Sequence, residues 1–191
     1  MMVLVVGLLA SDSGKTSVAV SILRAARELG IDAVGAKPVG GHSAWSQYDT
    51  VVRSLEMGML VGEDAYKLWE ASARAEPLEV ISPLDILTAP PDPEALRSFD
   101  EYLGMVDAAT WIAALLRVSR VSGGSVVSEH YVAVDAVERA PPRLRSALLE
   151  LAERVRAKRA STERLVRIAE ESTGAVDSAV ELLAARHEMV V

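Results

Sequence analysis

Residues 3–16 read Val-Leu-Val-Val-Gly-Leu-Leu-Ala-Ser-Asp-Ser-Gly-Lys-Thr, and this stretch decides the fold. The short, valine-rich run at 3–7 predicts a strand covered on both faces. From Lys15 onward the period changes. Val18, Ile22, Ala26 and Leu29 recur at helical spacing and Gly30 follows, so a helix is expected over 15–29. Residues 33–36 predict a second short strand, ended by Pro38 and the pair Gly40-Gly41. A strand, a helix and a returning strand within one crossover length make a βαβ unit, whose sheet should be parallel.

The turn between that first strand and the helix carries the chemistry. Such a turn points consecutive backbone N–H groups into one concavity, and the helix N-terminus adds partial positive charge, so the nest suits a polyphosphate. Ser11, Asp12, Ser13, Gly14, Lys15, Thr16 and Ser17 are therefore the candidate nucleotide-binding residues. Gly14 lets the backbone approach the phosphates without a Cβ. Lys15 should reach the β- and γ-phosphates of ATP or GTP, and the Thr16 hydroxyl should ligate Mg²⁺. The loop departs at one place from G-x-x-x-x-G-K-[ST]: the first Gly of that pattern falls on Leu9, and the nearest Gly is Gly7. A chance Ser-Gly-Lys-Thr capping a helix start is the competing reading. The flanking strand, helix and second strand supply the context that the motif requires.

Composition narrows the class. The chain has 191 residues, half of them hydrophobic, enough for one domain with a sizeable core. It has no cysteine, which excludes disulfides and thiolate metal sites. A formal net charge of −7 argues against a broad nucleic-acid surface. No apolar run is long enough to span a bilayer and no signal-peptide pattern is visible, so a soluble, cytoplasmic protein without membrane partners is expected. The fold class expected is α/β: a mainly parallel sheet flanked by helices, with an added helical C-terminal region.

The loop at 10–16, followed one crossover later by Gly35-Ala-Lys-Pro-Val39, resembles dethiobiotin synthetase and its relatives, a superfamily of P-loop NTPases. Those relatives include the cobyrinic acid amidating synthetases and the N-terminal domain of some phosphotransacetylases. The likeness covers residues 3–49, with a weaker echo at 82–93, and looks closest to archaeal proteins described as P-loop ATPases or GTPases. The resemblance implies an acidic loop residue at Asp12 near metal and substrate, a catalytic lysine at Lys37, and an Mg²⁺-holding carboxylate at Asp49. Lys15 and Lys37 are then the candidate catalytic residues, and Thr16 and Asp49 the candidate metal ligands. Lys37 as a solvated strand end, and Asp49 as a helix N-terminal residue, are the competing readings. Gly40-Gly41-His42 stands where the family has a substrate-contacting Ser; His42 and Ser43 are the replacements available.

The rest of the chain reads more coarsely. Helices are expected over 48–60 and 63–73, a surface-crossing loop over the Pro-rich 81–93, a helix over 107–121 and a strand over 126–134. Three amphipathic helices should follow Pro141-Pro142. The basic run 154–159 reads as a solvated helix end, and 189–191 as the start of a buried strand. A P-loop NTPase ordinarily adds a second strand-end carboxylate for the Mg²⁺ water. Asp135 is the internal candidate, with a hairpin edge as its alternative. Residues 1–191 accordingly read as one nucleotide-binding domain that stops short of a complete site, with 107–186 as a largely helical insertion or subdomain.

Besides a structural fragment that retains the fold but binds nucleotide weakly, two functions compete. One is Mg²⁺-dependent ATP or GTP binding with phosphoryl transfer or hydrolysis, activating a carboxylate or carbamate of an unidentified small molecule. The other is a nucleotide-binding regulatory or assembly module with little intrinsic hydrolysis. A homodimer is compatible with either.

Overall fold

A computed structural model describes residues 1–8, 13–95, 98–100, 112–122 and 125–191. The helix expected after the glycine-containing loop is α1 (Lys15–Glu28), which buries Ala19, Leu23 and Ala26, spaced four and three apart, on one face. Gly30 ends it in the left-handed region at φ 79°, which only glycine adopts without strain. There the Ile31 N–H reaches back to the Ala26 carbonyl at 2.9 Å and the Gly30 N–H to Arg27 at 3.0 Å, satisfying two end carbonyls.

The chain then forms β1 (Ala33–Val34), β2 (Val39–Ser43), α2 (Tyr48–Met57), α3 (Glu63–Ala71), the short α4 (Leu78–Ile81) and β3 (Leu84–Thr88). The second half comprises β4 (Ala113–Ser122), β5 (Ser125–Ala133), α5 (Val134–Arg139), α6 (Pro142–Arg154), β6 (Lys158–Ala160), α7 (Thr162–Glu171), α8 (Thr173–Arg186) and β7 (Met189–Val190). The architecture is α/β, and most strand pairings among the described residues are parallel: β1 with β7, β2 with β3, and β5 with β6. The strands do not share one sheet. β1 and β7 form a small sheet, and β2-β3-β4-β5-β6 a larger one. One apolar core packs α1, β1, α4, α8 and β7 around Leu23, Val34, Ile81, Leu183 and Val190. A second packs β3, β4 and β5 against α5, α6 and α7 around Leu115, Leu148, Leu151 and Leu165.

β7 is the buried strand expected to start at 189, and it lies between β1 and the first residues of the chain. It pairs with β1 on one side, and on the other Val190 bridges Met2 and accepts the Val3 N–H at 2.8 Å. Residues 4–7 continue past the end of that ladder, so the expected strand over 3–7 is realised as a strand-like pairing at its first residue alone. Nor are both faces covered: Leu4 is 85% and Val6 76% exposed, while Val3 and Val5 pack on the core.

Three further expectations are corrected. Residues 84–88 are not loop but the strand β3, hydrogen-bonded on both sides. Pro83 precedes its first residue and the later prolines follow its last, so the prolines flank the ladder and never interrupt it. The helix expected over 107–121 is instead β4 over its described part, and 107–111 fall outside the described residues. Residues 113–118 are all buried, and a strand covered on both faces loses the alternation that distinguishes it from a helix. Of the basic run, Arg154 does end α6, but Lys158 and Arg159 belong to β6, a charged edge strand.

Across the larger sheet runs a buried polar row. The pairings place Gly40 of β2 opposite Asp85 of β3, Asp85 opposite Arg117 of β4, and Arg117 opposite His130 of β5. Asp85 and Arg117 are wholly buried. Burial alone pushes the Asp85 carboxyl up, but His42 at 3.3 Å and the Arg117 charge outweigh it and hold it below the usual aspartate range. His130 is pushed down to about 4 by burial and then by Arg117.

That depression fixes the sign of a pH effect. The unfolded chain binds a proton at His130 near pH 6.5 and the folded chain only near pH 4. The stability contributed by neutral His130 is therefore complete above pH 6.5 and falls as pH drops toward 4, by about 3 kcal/mol in all. Urea denaturation at pH 7.5 and 4.5 should show a smaller loss for His130→Gln than for the wild type; equal losses would contradict the assignment.

Candidate functional site

The loop before α1 closes tightly on the segment that precedes it. Gly14 caps the helix with φ 75°, a left-handed conformation suited to glycine. A Cβ at Gly7 would stand 2.1 Å from Ser13 Oγ and 2.9 Å from Lys15 Cγ, so the absence of a side chain there lets the loop and the segment before it meet. Gly7 thus performs a close-approach role two positions before the place where the usual pattern puts its first glycine. Lys15 Nζ donates to Ser13 Oγ at 2.8 Å, folding the lysine back over its own loop. Ser17 is exposed two residues into the helix. Ser11 and Asp12 lie outside the described residues.

Thr16 Oγ1 donates a hydrogen bond to Asp64 Oδ1 at 2.6 Å. The other oxygen of the same carboxylate, Oδ2, lies 3.6 Å from Lys37 Nζ. Asp64 stands in the first turn of α3, where the helix N-terminus favours a carboxylate. One acidic side chain therefore gathers the loop threonine and the lysine that follows β1. The Lys37 backbone N–H is fixed separately, at 2.8 Å from the Ile81 carbonyl. Because Lys37 is a third and Asp64 nearly half exposed, their pairing contributes at most about 1 kcal/mol to stability. Its consequence is geometric: two lysines, a hydroxyl and a carboxylate are held at one helix start.

The neighbouring acid is directed elsewhere. Glu63 pairs with Arg53 and, at 3.1 Å, with Lys67. Burial pushes its carboxyl up, but those two cations bring it below the ordinary glutamate value. Arg53 also lies 4.4 Å over the Tyr66 ring. Asp49, the carboxylate singled out in the sequence, is exposed in the first turn of α2, where its charge favours the ionised Arg53. Among the described residues the carboxylate at the Thr16 hydroxyl is Asp64. Nothing local in the sequence announces this, since Glu63-Asp64 after Gly62 reads as an ordinary acidic first turn 48 residues from Thr16.

Asp135 accepts the Thr162 N–H at 2.8 Å, satisfying the first N–H of α7, whose N-cap is Ser161. His42 is buried, with Nδ1 at 2.7 Å from Thr50 Oγ1 and Nε2 facing Asp85, and Ser43 Oγ accepts the N–H groups of Trp45 and Ser46 in a turn. Those side chains are committed to the interior and to local backbone. Among the described residues there is no cluster of three or more His, Cys, Asp or Glu able to hold a metal, and no helix long and apolar enough to cross a membrane. A hard cation here would rely on Thr16 and Asp64, two adjacent oxygen donors of the type Mg²⁺ takes, completed by phosphate and water oxygens.

No protein-family model matches the chain, and no solved structure does. Three bacterial proteins match in part, all ATP-dependent dethiobiotin synthetases BioD. The one from Anaeromyxobacter dehalogenans strain 2CP-1 is 44% identical over 72 residues, which is 37% of this chain and 25% of that protein. Those of strain 2CP-C and of Anaeromyxobacter sp. strain K are each 43% identical over 72 residues, with the same coverage. The match thus spans a quarter of these relatives' length. The archaeal likeness expected from the loop finds no support among them. Over this partial stretch the chain is similar to these dethiobiotin synthetases.

Proposed function

We propose that the chain binds ATP as its magnesium complex and serves phosphoryl transfer to a carboxylate or carbamate of a small molecule. The observation that carries this reading is the convergence of Thr16 and Lys37 on Asp64 at the start of α1. The matched relatives are ATP-dependent, which favours ATP over GTP. In this reading the N–H groups around Gly14 receive the β-phosphate and Lys15 turns from Ser13 to the β- and γ-oxygens. Thr16 and Asp64 would hold Mg²⁺, which neutralises charge on the phosphates. The metal assignment thus moves from Asp49 to Asp64. Lys37, which pairs with Asp64 here, would then meet the negative charge that develops on the transferring group.

A second reading, a nucleotide-dependent regulatory or assembly module, draws on one observation. Among the described residues the Thr16 hydroxyl bonds one carboxylate, that of Asp64, and no group of three or more potential metal ligands is found. Calorimetric titration with Mg-ATP and Mg-GTP, followed by phosphate release with and without small carboxylates or amines, separates the two. Turnover raised by such a compound supports the transferase; tight binding with turnover that no acceptor raises supports the module.

Four substitutions test the roles. Lys15→Ala should weaken Mg-ATP binding by at least tenfold, about 1.4 kcal/mol, with an unchanged circular dichroism spectrum. A smaller change would remove the cradle assignment. Lys37→Ala should depress kcat far more than it raises KM, because its contact strengthens as charge develops. Equal effects on both would reduce Lys37 to a ground-state phosphate contact. Asp64→Asn should abolish most of the gain in ATP affinity that Mg²⁺ confers, while Asp49→Asn should leave it in place; the reverse pattern would return the metal to Asp49.

A further inference from the structure

We infer that Arg117 and His130 are positioning residues for Asp64, acting through the backbone of Leu60 beneath the start of α3. The inference rests on the proposed nucleotide site and adds two side chains that never touch it. Arg117 Nε donates to the Leu60 carbonyl at 2.8 Å, and the Leu60 N–H donates to His130 Nε2 at 3.2 Å. The peptide groups on both sides of one residue are thus gripped by neighbouring strands of the larger sheet. The Val61 N–H is fixed next, to Ser54 Oγ at 3.0 Å. A Cβ at Gly62 would lie 3.2 Å from the His42 ring and 3.4 Å from Asp85 Oδ1, so here the backbone passes against the buried His42–Asp85 pair. Gly62 caps α3, and Asp64 follows two residues later. Three consecutive residues ahead of Asp64 are therefore seated on buried polar groups.

Stability does not account for this arrangement. A wholly buried guanidinium carries a large desolvation penalty, and apolar replacements of buried ionic groups are often as stable or more so. The cluster is not even fully satisfied. Arg117 Nη2, Ser82 Oγ and both Asp85 oxygens are buried without a hydrogen-bond partner among the described residues. What the cluster does provide is directional attachment, since apolar side chains could cover the 60–62 segment but could not fix the direction of its N–H and C=O groups. Residues that orient a metal ligand typically alter metal affinity by about 10- to 100-fold when replaced.

The test compares ATP affinity with and without Mg²⁺ in the wild type, Arg117→Met, His130→Leu and His130→Gln. Glutamine keeps an acceptor for the Leu60 N–H, so His130→Gln should retain the wild-type response. Arg117→Met and His130→Leu each remove a grip on the Leu60 backbone, and both should lose about tenfold or more of the affinity gained from Mg²⁺. Their affinity for metal-free ATP, set by the Lys15 loop, should stay within about threefold of the wild type. Folded variants with an unchanged response to Mg²⁺ would overturn the inference, as would equal losses with and without the metal, the mark of a purely structural role. If Arg117→Met does not fold, the contrast between His130→Leu and His130→Gln decides. A wild type that binds neither form of ATP would overturn the nucleotide reading itself, and the inference with it.

Discussion

The hydrogen bond from Thr16 to Asp64 is the contact on which the site depends. It joins the first turn of α1 to the first turn of α3, and at the same carboxylate it meets Lys37 from beyond the end of β1. Three segments that are remote in sequence are thereby brought to one point. The contact is partly exposed and adds little to stability. Its value lies in orientation, because the two helix N-termini and the lysine can present their charges to a polyphosphate together only when this geometry is kept.

That geometry has support from below. The larger sheet carries a charged row in its interior, and Gly40 leaves room for it. A Cβ at Gly40 would stand 2.3 Å from Asp85 Oδ1, so the strand opposite the carboxylate must lack a side chain at that register. Asp85 in turn stays ionised through His42 and Arg117 despite its burial. The segment that leads from the small sheet to the larger one is itself fixed: the Ala36 N–H donates to the Val191 carbonyl, and the next N–H, that of Lys37, donates to the Ile81 carbonyl at the end of α4. Lys37 is thus held where the chain passes from β1 to β2.

Much of this was legible in the sequence, and each part that was not has an identifiable physical cause. The change from valine-rich run to helical period marked the loop, α1 and β1, and Gly30 marked the helix end, because these signals are local and each has one dominant physical origin. The three C-terminal helices were equally plain from their apolar spacing. β3 was hidden by prolines that flank it, and β4 by burial on both faces, which erased its alternation. Asp64 was hidden for a different reason: its partner is tertiary. Asp49 and Asp64 both open helices, and nothing within either helix says which one faces Thr16. Arg117 was hidden most deeply, since a charge amid apolar residues reads as the solvated face of a helix until the strand is seen to be covered on both sides.

The measurement that bears most directly on this account is a crystal structure of the chain with Mn²⁺ and a non-hydrolysable ATP analogue, the cation located by its anomalous scattering. The account places the triphosphate over Gly14 and Lys15, with Mn²⁺ ligated directly by Thr16 Oγ1 and the Asp64 carboxylate. A cation held by Asp49, or a triphosphate bound away from the start of α1, would contradict it.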